Sequence, residues 1–499
     1  MRNSVLLFAL VTLMFPVFGQ NAADALRYSY LRPMSTARSV GVGGSMAALG
    51  GDFSSLSVNP AGIGGFWKSE VTFTPSYSFL NTRSNLKSFP MSSVFTPENP
   101  TNEELSNHFS INNLGLVITN RNNRGNWKTT SFGIGLNKWA DYREDFFYQG
   151  FSPGSIADRF AALAFGLHPD DLDDFEAGPA FETGAIYDVD DDFIYETDFD
   201  FDPDELVHRQ QLVDQRGYYN ELAISFGGNY KDLLLIGATV GVPFIYYNYD
   251  KQYVEDDPEN RVAAFETLSF SEFLRTEGSG INFKVGAIAK VHKMFRIGAA
   301  VHSPSFVKLN DRYSNELSYS FNAGNGPEEY SKESPEGEFE YKITTPWRAV
   351  GNIAAIFNEN GFLTADIEFV DYSAARFNFT YSSDNLSDRE YQEEVNEEIK
   401  SLYQSTVNLR IGGEFVLDAF RFRAGYQRLG NPFTSGNDAR SVYSGGLGIR
   451  GNKAYLDLGF AFGTASLGYQ PYLIRDAYQQ VVDNKTDRAQ VSATVGFKL

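Results

Sequence analysis

From residue 69 to the end, the chain repeats one pattern. Runs of about ten residues carry apolar side chains at every second position, and the connections between runs are alternately short and long. In 454–462, Leu456, Leu458, Phe460 and Phe462 alternate with Tyr455, Asp457, Gly459 and Ala461. In 489–499, Val491, Ala493, Val495, Phe497 and Leu499 alternate with Gln490, Ser492, Thr494, Gly496 and Lys498. The short connections are 120–126, Lys231, 293–294, 358–360, 418–419 and 451–452. The long ones are 82–108, 143–216, 250–279, 310–337, 381–404, 429–439 and 464–487. A half-buried strand of a soluble sheet has the same period of two. A sandwich or propeller, however, has no reason to place short turns on one side and long loops on the other. The pattern predicts an all-β fold: a transmembrane antiparallel β-barrel of about 14 strands.

Composition agrees where it bears on this. The 499 residues carry a net charge of -21, 15% aromatics, 45 Gly and no Cys. Aromatics suit pleated surfaces and Gly suits turns. Without Cys there is no disulfide and no thiolate metal site. The acidic balance excludes a nucleic-acid partner, because phosphate binding needs a basic footprint. Arg2 followed by the apolar run 5–18 reads as a secretion signal, with cleavage expected after Gly19, so that 1–19 is removed. The run is shorter than the ~20 residues of a spanning helix. The expected order is then a signal (1–19), an N-terminal segment (20–68) and the barrel (69–499). In the N-terminal segment, 41–67 is rich in Gly, Ala and Ser, has no periodicity and contains Asn59-Pro60-Ala61-Gly62. Such a stretch suits a compact irregular plug. With an even strand count, both termini and the short turns face the periplasm and the long loops face outward. This places the chain in the outer membrane of a Gram-negative cell, in contact with outer-membrane lipid. The chain ends Phe497-Lys498-Leu499 rather than on the aromatic residue usual for clients of the barrel-assembly machinery, its expected partner in insertion.

No constellation of catalytic residues stands out. The five His residues, 108, 168, 208, 292 and 302, show no metal-ligand spacing. Gly41-Val42-Gly43-Gly44 follows no strand and lacks the third Gly of a dinucleotide fingerprint. No Gly-x-Ser-x-Gly elbow occurs. Neither catalytic residues, metal ligands nor a cofactor are expected. Loop 143–216 is strongly acidic, with Asp188, Asp190, Asp191 and Asp192 at its centre. It reads as a solvated surface, as a divalent-cation site (although the Gly and Glu of an EF-hand are absent), or, from the interleaved Phe193, Tyr195, Phe199 and Phe201, as a lid over an apolar entrance. Residues 384–400 suggest a short helical turn. The inward charges Asp366, Glu368, Arg410, Glu414, Arg421, Arg423, Arg450 and Asp457 read as a mutually paired polar interior.

Several segments together resemble the FadL/TodX outer-membrane transport proteins. They are the glycine-rich lead-in with Asn59-Pro60-Ala61-Gly62; Thr345-Pro346-Trp347-Arg348; Ala365-Asp366-Ile367-Glu368; Asp371-Tyr372; and Phe422-Arg423-Ala424-Gly425-Tyr426 with Asn431-Pro432. The resemblance implies a 14-stranded barrel plugged by an N-terminal hatch. It also implies passive uptake of long-chain fatty acids or other hydrophobic small molecules, which leave sideways through the wall. On this resemblance Asn59, Pro60, Ala61 and Gly62 are hatch or gate residues. The ligand-binding residues carry no motif, and Gly133 and Gly135 are candidates for the strand kink of a lateral opening. Two other readings stand beside transport. One is a FadL-like barrel serving as a docking scaffold in protein secretion; the other is an outer-membrane lipid hydrolase.

Overall fold

The structure is a computed structural model that describes residues 22–88, 98–122, 124–199, 206–379, 386–436, 438–474 and 479–499. The expected signal, 1–19, lies outside these residues, as do Asp200, Asp202, Asp204 and Glu205 of the acidic loop. Nineteen strand segments form one closed antiparallel sheet. They are β1 (Glu70–Leu86), β2 (Thr101–Arg121), β3 (Trp127–Asp141), β4 (Glu144–Pro153), β5 (Leu206–Tyr230), β6 (Leu234–Asp256), β7 (Phe265–Ala289), β8 (Phe295–His302), β9 (Phe306–Phe321) and β10 (Glu328–Glu333). The series continues with β11 (Gly337–Thr344), β12 (Arg348–Ile356), β13 (Gly361–Asp371), β14 (Arg376–Phe379), β15 (Ser405–Leu417), β16 (Phe420–Leu429), β17 (Arg440–Arg450), β18 (Ala454–Tyr469) and β19 (Val482–Lys498).

Several segments are pieces of one wall strand. β3 and β4 both pair with β5. β8 and β9 both pair with β7. β10 and β11 pair with β9, and β12 pairs with β8. β13 pairs with β12, and β14 pairs with β11. Joined in this way the segments make a barrel of 14 wall strands, which closes where Glu70 of β1 faces Lys498 of β19.

The outer face carries the lipid belt that the alternation predicted. Phe226, Val285, Ile353, Leu363, Ile411 and Leu447 are all exposed, and they recur strand after strand. Bare apolar rings of this kind are tolerated only against hydrocarbon. The inner face is polar and largely paired. Lys284 bonds Glu221 at 2.5 Å, Arg410 bonds Glu368 at 3.2 Å, and Arg423 lies 2.7 Å from both Glu414 and Asp457. Arg421 stands apart from this network and donates to the turn carbonyls of Asp418 and Phe420.

The wall is higher on one side than the other. β5, β6 and β7 run 25, 23 and 25 residues, whereas β15, β16 and β17 run 13, 10 and 11. About 9–11 residues suffice to cross the bilayer, so the long strands continue well above it. This corrects the boundaries read from sequence. The expected loop 143–216 is strand at 144–153 and again from 206. Past the membrane a strand has no lipid face, so the alternation stops while the ladder continues. Between those segments lie α4 (Ala157–Ala164) and α5 (Ala177–Thr183), which pack on Phe265, Phe270 and Tyr319 as an outer platform with its own apolar core. The expected helical turn at 384–400 is a full helix, α6 (Leu386–Leu402).

Candidate functional site: a lumenal cavity over an N-terminal plug

The N-terminal segment lies inside the barrel. It forms α1 (Ala22–Ser29), α2 (Ala37–Gly41), α3 (Ser55–Val58) and a 3-10 turn, Pro60–Gly65. Thr36 caps α2 by accepting from the Ser39 amide, and its hydroxyl donates to Asp52 at 2.8 Å. Asn59 caps the 3-10 turn through the Ala61 amide, and Pro60 fits its first position because no N–H is needed there. Asn59, Pro60, Ala61 and Gly62 are all buried. The Asn59 amide also donates to the Ala47 carbonyl at 2.6 Å and to that of Ala287 in the wall at 3.4 Å.

Inward-facing glycines let the plug lie directly on the wall. A Cβ at Gly237 would strike the Pro60 carbonyl, one at Gly286 would strike the Asn59 side chain, and one at Gly412 would strike the Val42 carbonyl. Gly133 and Gly135 belong to this set. They face Ile63, Leu56 and Phe53 of the plug, and no kink occurs at either. Wall side chains then pin the plug backbone. His302 Nε2 donates to Val58 O at 2.9 Å, Thr239 to Leu56 O at 2.9 Å, Arg296 to Leu49 O at 2.5 Å, and Arg348 to the carbonyls of Ser29 and Leu31.

The wall is broken a few residues above Gly135. β2 pairs with β3 only as far as Asn113 opposite Asn137. Beyond that point β3 bulges between Lys138 and Ala140, and β4 turns into the lumen while staying paired with β5. Arg488 of β19 reaches across and donates to the carbonyls of Asp141 (3.1 Å) and Arg143 (2.7 Å). The upper part of β2 is therefore left without a ladder partner on that side, and Leu105 and Phe109 are 72% and 63% exposed. The plug takes over the freed edge of β3: Arg32 and Met34 donate their amides to the carbonyls of Trp139 and Lys138, each at 2.9 Å. The break in the wall and the plug thus share hydrogen bonds.

Above the plug lies a cavity of about 700 Å³. Leu26, Tyr403, Leu429, Phe433, Val442 and Leu473 give it apolar walls; Arg27, Asp141, Glu144 and Glu398 line it too, and so do Arg32, Arg440 and Arg488. Among the described residues none of these three guanidinium groups has a carboxylate at ion-pair distance. Arg440 lies over the Tyr30 ring at 5.3 Å. Burial lowers the Arg32 pKa to about 10, and the neighbouring charges of Arg488, Arg410 and Arg440 push it the same way. The cavity thus combines apolar walls with charged groups of both signs. Sequence reasoning missed these residues because they are scattered between the plug and two distant strands. The one available signal was an inward-facing Arg with no acidic residue at its cross-strand position: Arg440 pairs with Leu429.

Other expected sites do not assemble. Among the described residues no three His or carboxylate side chains come together to hold a metal ion, in the acidic loop or elsewhere. Asp188 and Asp192 instead accept backbone amides within their own turn.

No protein-family profile matches this chain, and no curated protein matches it significantly in sequence. Solved structures do match. A FadL homologue from Pseudomonas aeruginosa superposes with a TM-score of 0.54 at 13% identity, over 93% of this chain and 98% of that one. The toluene transporter TodX of P. putida gives 0.50 at 12% identity, with the same coverage of both chains. The fold is the FadL/TodX fold. At these identities the likeness concerns architecture: a 14-stranded barrel filled from its N-terminus, as the resemblance implied.

Proposed function

We propose that this chain is a channel of the outer membrane for hydrophobic small molecules. More narrowly, we propose passive uptake of long-chain fatty acids or similar anionic amphiphiles. The observation that carries the narrower reading is the cluster Arg32, Arg440 and Arg488, which has no carboxylate at ion-pair distance among the described residues, in a cavity lined by apolar walls and also by Asp141, Glu144 and Glu398. A neutral hydrocarbon gives such a cluster nothing to bind, and burying cations without a counter-charge is costly. A carboxylate supplies the charge, and the acyl chain gains about 25 cal/mol for each Å² buried against the walls. Passage then runs from the cavity past the kink at residues 138–143 into the surrounding membrane. Because the plug holds that kink through Arg32 and Met34, a shift of the plug moves both. Asn59 and Pro60, which fix the plug to the wall, are the proposed gate residues, with Ala61 and Gly62 completing the turn.

Native mass spectrometry of gently extracted protein tests this reading. The wild type should carry one acyl carboxylate per chain. Arg32→Gln with Arg440→Gln should weaken oleate binding roughly 10- to 100-fold, the loss expected for charge-assisted hydrogen bonds. Equal oleate affinity in the wild type and this variant would remove the fatty-acid reading and leave the broader one.

A further inference from the structure

The wall contains a second interruption, and a helix occupies it. β13 pairs with β15 as far as Asp371 opposite Ser405. Above that level β14 pairs with β11 on one side and, among the described residues, has no strand on the other. α6 fills the place. Asn396 satisfies both backbone groups of Phe377, accepting from its amide at 2.8 Å and donating to its carbonyl at 3.0 Å. Gln392 accepts from the Phe379 amide at 2.9 Å. Two side-chain amides thus stand in for a strand and cover an edge that would otherwise be exposed.

α6 is also built to rest on the cavity rather than to be part of the wall. Val395 and Ile399, one turn apart, are buried, while Glu393, Glu394 and Glu397 face solvent. The buried face packs into the same apolar cluster as Ala25 and Tyr28 of α1 and as Phe377 and Phe379 of β14. The Tyr391 and Phe379 rings stack at 5.7 Å. The end of the helix is tethered: Thr434 donates to the Leu402 carbonyl, and Gln404 to those of Pro432 and Phe433. Tyr403 then donates to the Ala22 carbonyl at 2.8 Å, which joins the helix to the first residue of α1. The position matters: α6 packs on β14, on α1 and on the turn Tyr372–Ala374, and Leu402 at its end and the adjoining Tyr403 line the cavity.

We propose that α6 is a door. It closes an entry port for hydrophobic ligand between β14 and the low wall, on the outer side, away from the kink through which ligand leaves. Opening separates the Asn396 and Gln392 amides from β14 while the tethered end stays in place. Because Tyr403 holds Ala22, opening also loosens α1, the first element of the plug. The door rests on the channel reading given above.

The chain has no Cys, so an introduced pair of thiols is unique. Phe379→Cys with Tyr391→Cys, bridged by a reducible methanethiosulfonate cross-linker, should hold the door shut. Labelled oleate uptake by cells carrying the bridged protein should fall at least fivefold and return on reduction. A second variant, Asn396→Ala with Gln392→Ala, should act in the opposite sense. Its amide exchange at Phe377 and Phe379 should be at least tenfold faster, with uptake kept or raised. Uptake by the bridged protein equal to that of the reduced protein would overturn the proposal. So would unchanged exchange at Phe377 and Phe379 in the alanine variant. If wild-type cells take up no oleate at all, the channel reading fails and the door fails with it. Binding that persists while bridging changes nothing removes the door alone.

Discussion

At the scale of single residues, the plug depends on what the wall omits. Gly237 lacks the Cβ that would strike the Pro60 carbonyl. Gly237→Val should therefore displace the Asn59–Ala61 turn without breaking the β6 ladder, since valine favours strands. The variant should still form a heat-modifiable barrel but leak a small hydrophilic solute from liposomes that the wild type seals. Asp158, at the start of α4 in the outer platform, gives a pH prediction. It accepts from the Ser155 amide and the Thr197 hydroxyl, yet burial raises its pKa from 3.8 to about 6. Folding thus favours the protonated form. The stability this group contributes is full below pH 3.8 and is lost as pH rises through 6. After allowance for solvent screening the platform should lose roughly 1–2 kcal/mol between pH 4 and pH 7. Asp158→Asn should flatten that profile, as read from amide exchange in α4 corrected for intrinsic rates.

At the scale of elements, legibility followed the environment on each side of a strand. Where one face meets lipid and the other the polar interior, the sequence alternates, as in 454–462 and 489–499, and the strands stand where they were expected. Higher up, β5 and β7 carry polar residues on both faces, and the sequence signal ended long before the strands did. The kink was placed too low, at Gly133 and Gly135. Glycine in a strand marks either a bend or a close approach, and here the reason is the approach of Ile63 and Leu56 to Gly133 and of Phe53 to Gly135. The real bend, at 138–143, contains Lys, Trp, Ala, Asp, Tyr and Arg, and nothing local announces it. It is held by tertiary contacts, chiefly Arg488. Arg488→Met should remove two hydrogen bonds to buried carbonyls and let β4 relax toward β2. Because Arg488 also lines the cavity, oleate binding in detergent should fall as well, and uptake should fall severalfold further than binding does.

At the scale of the whole molecule, the order of connections was enough to read the barrel, and the low-periodicity N-terminus was enough to suggest a plug. The binding site was not legible, because its three arginines come from a plug loop, β17 and β19 and meet only when the barrel closes. The cavity is proposed to pass anionic amphiphiles and to exclude water-soluble solutes. The most direct measurement is uptake of labelled oleate by a host lacking its own fatty-acid barrel, with a hydrophilic sugar as the leak control. The wild type should take up oleate, Arg32→Gln and Arg440→Gln together should take up severalfold less, and neither should admit the sugar. Oleate uptake no greater than in the empty host, with the barrel present in the membrane, would contradict the proposal.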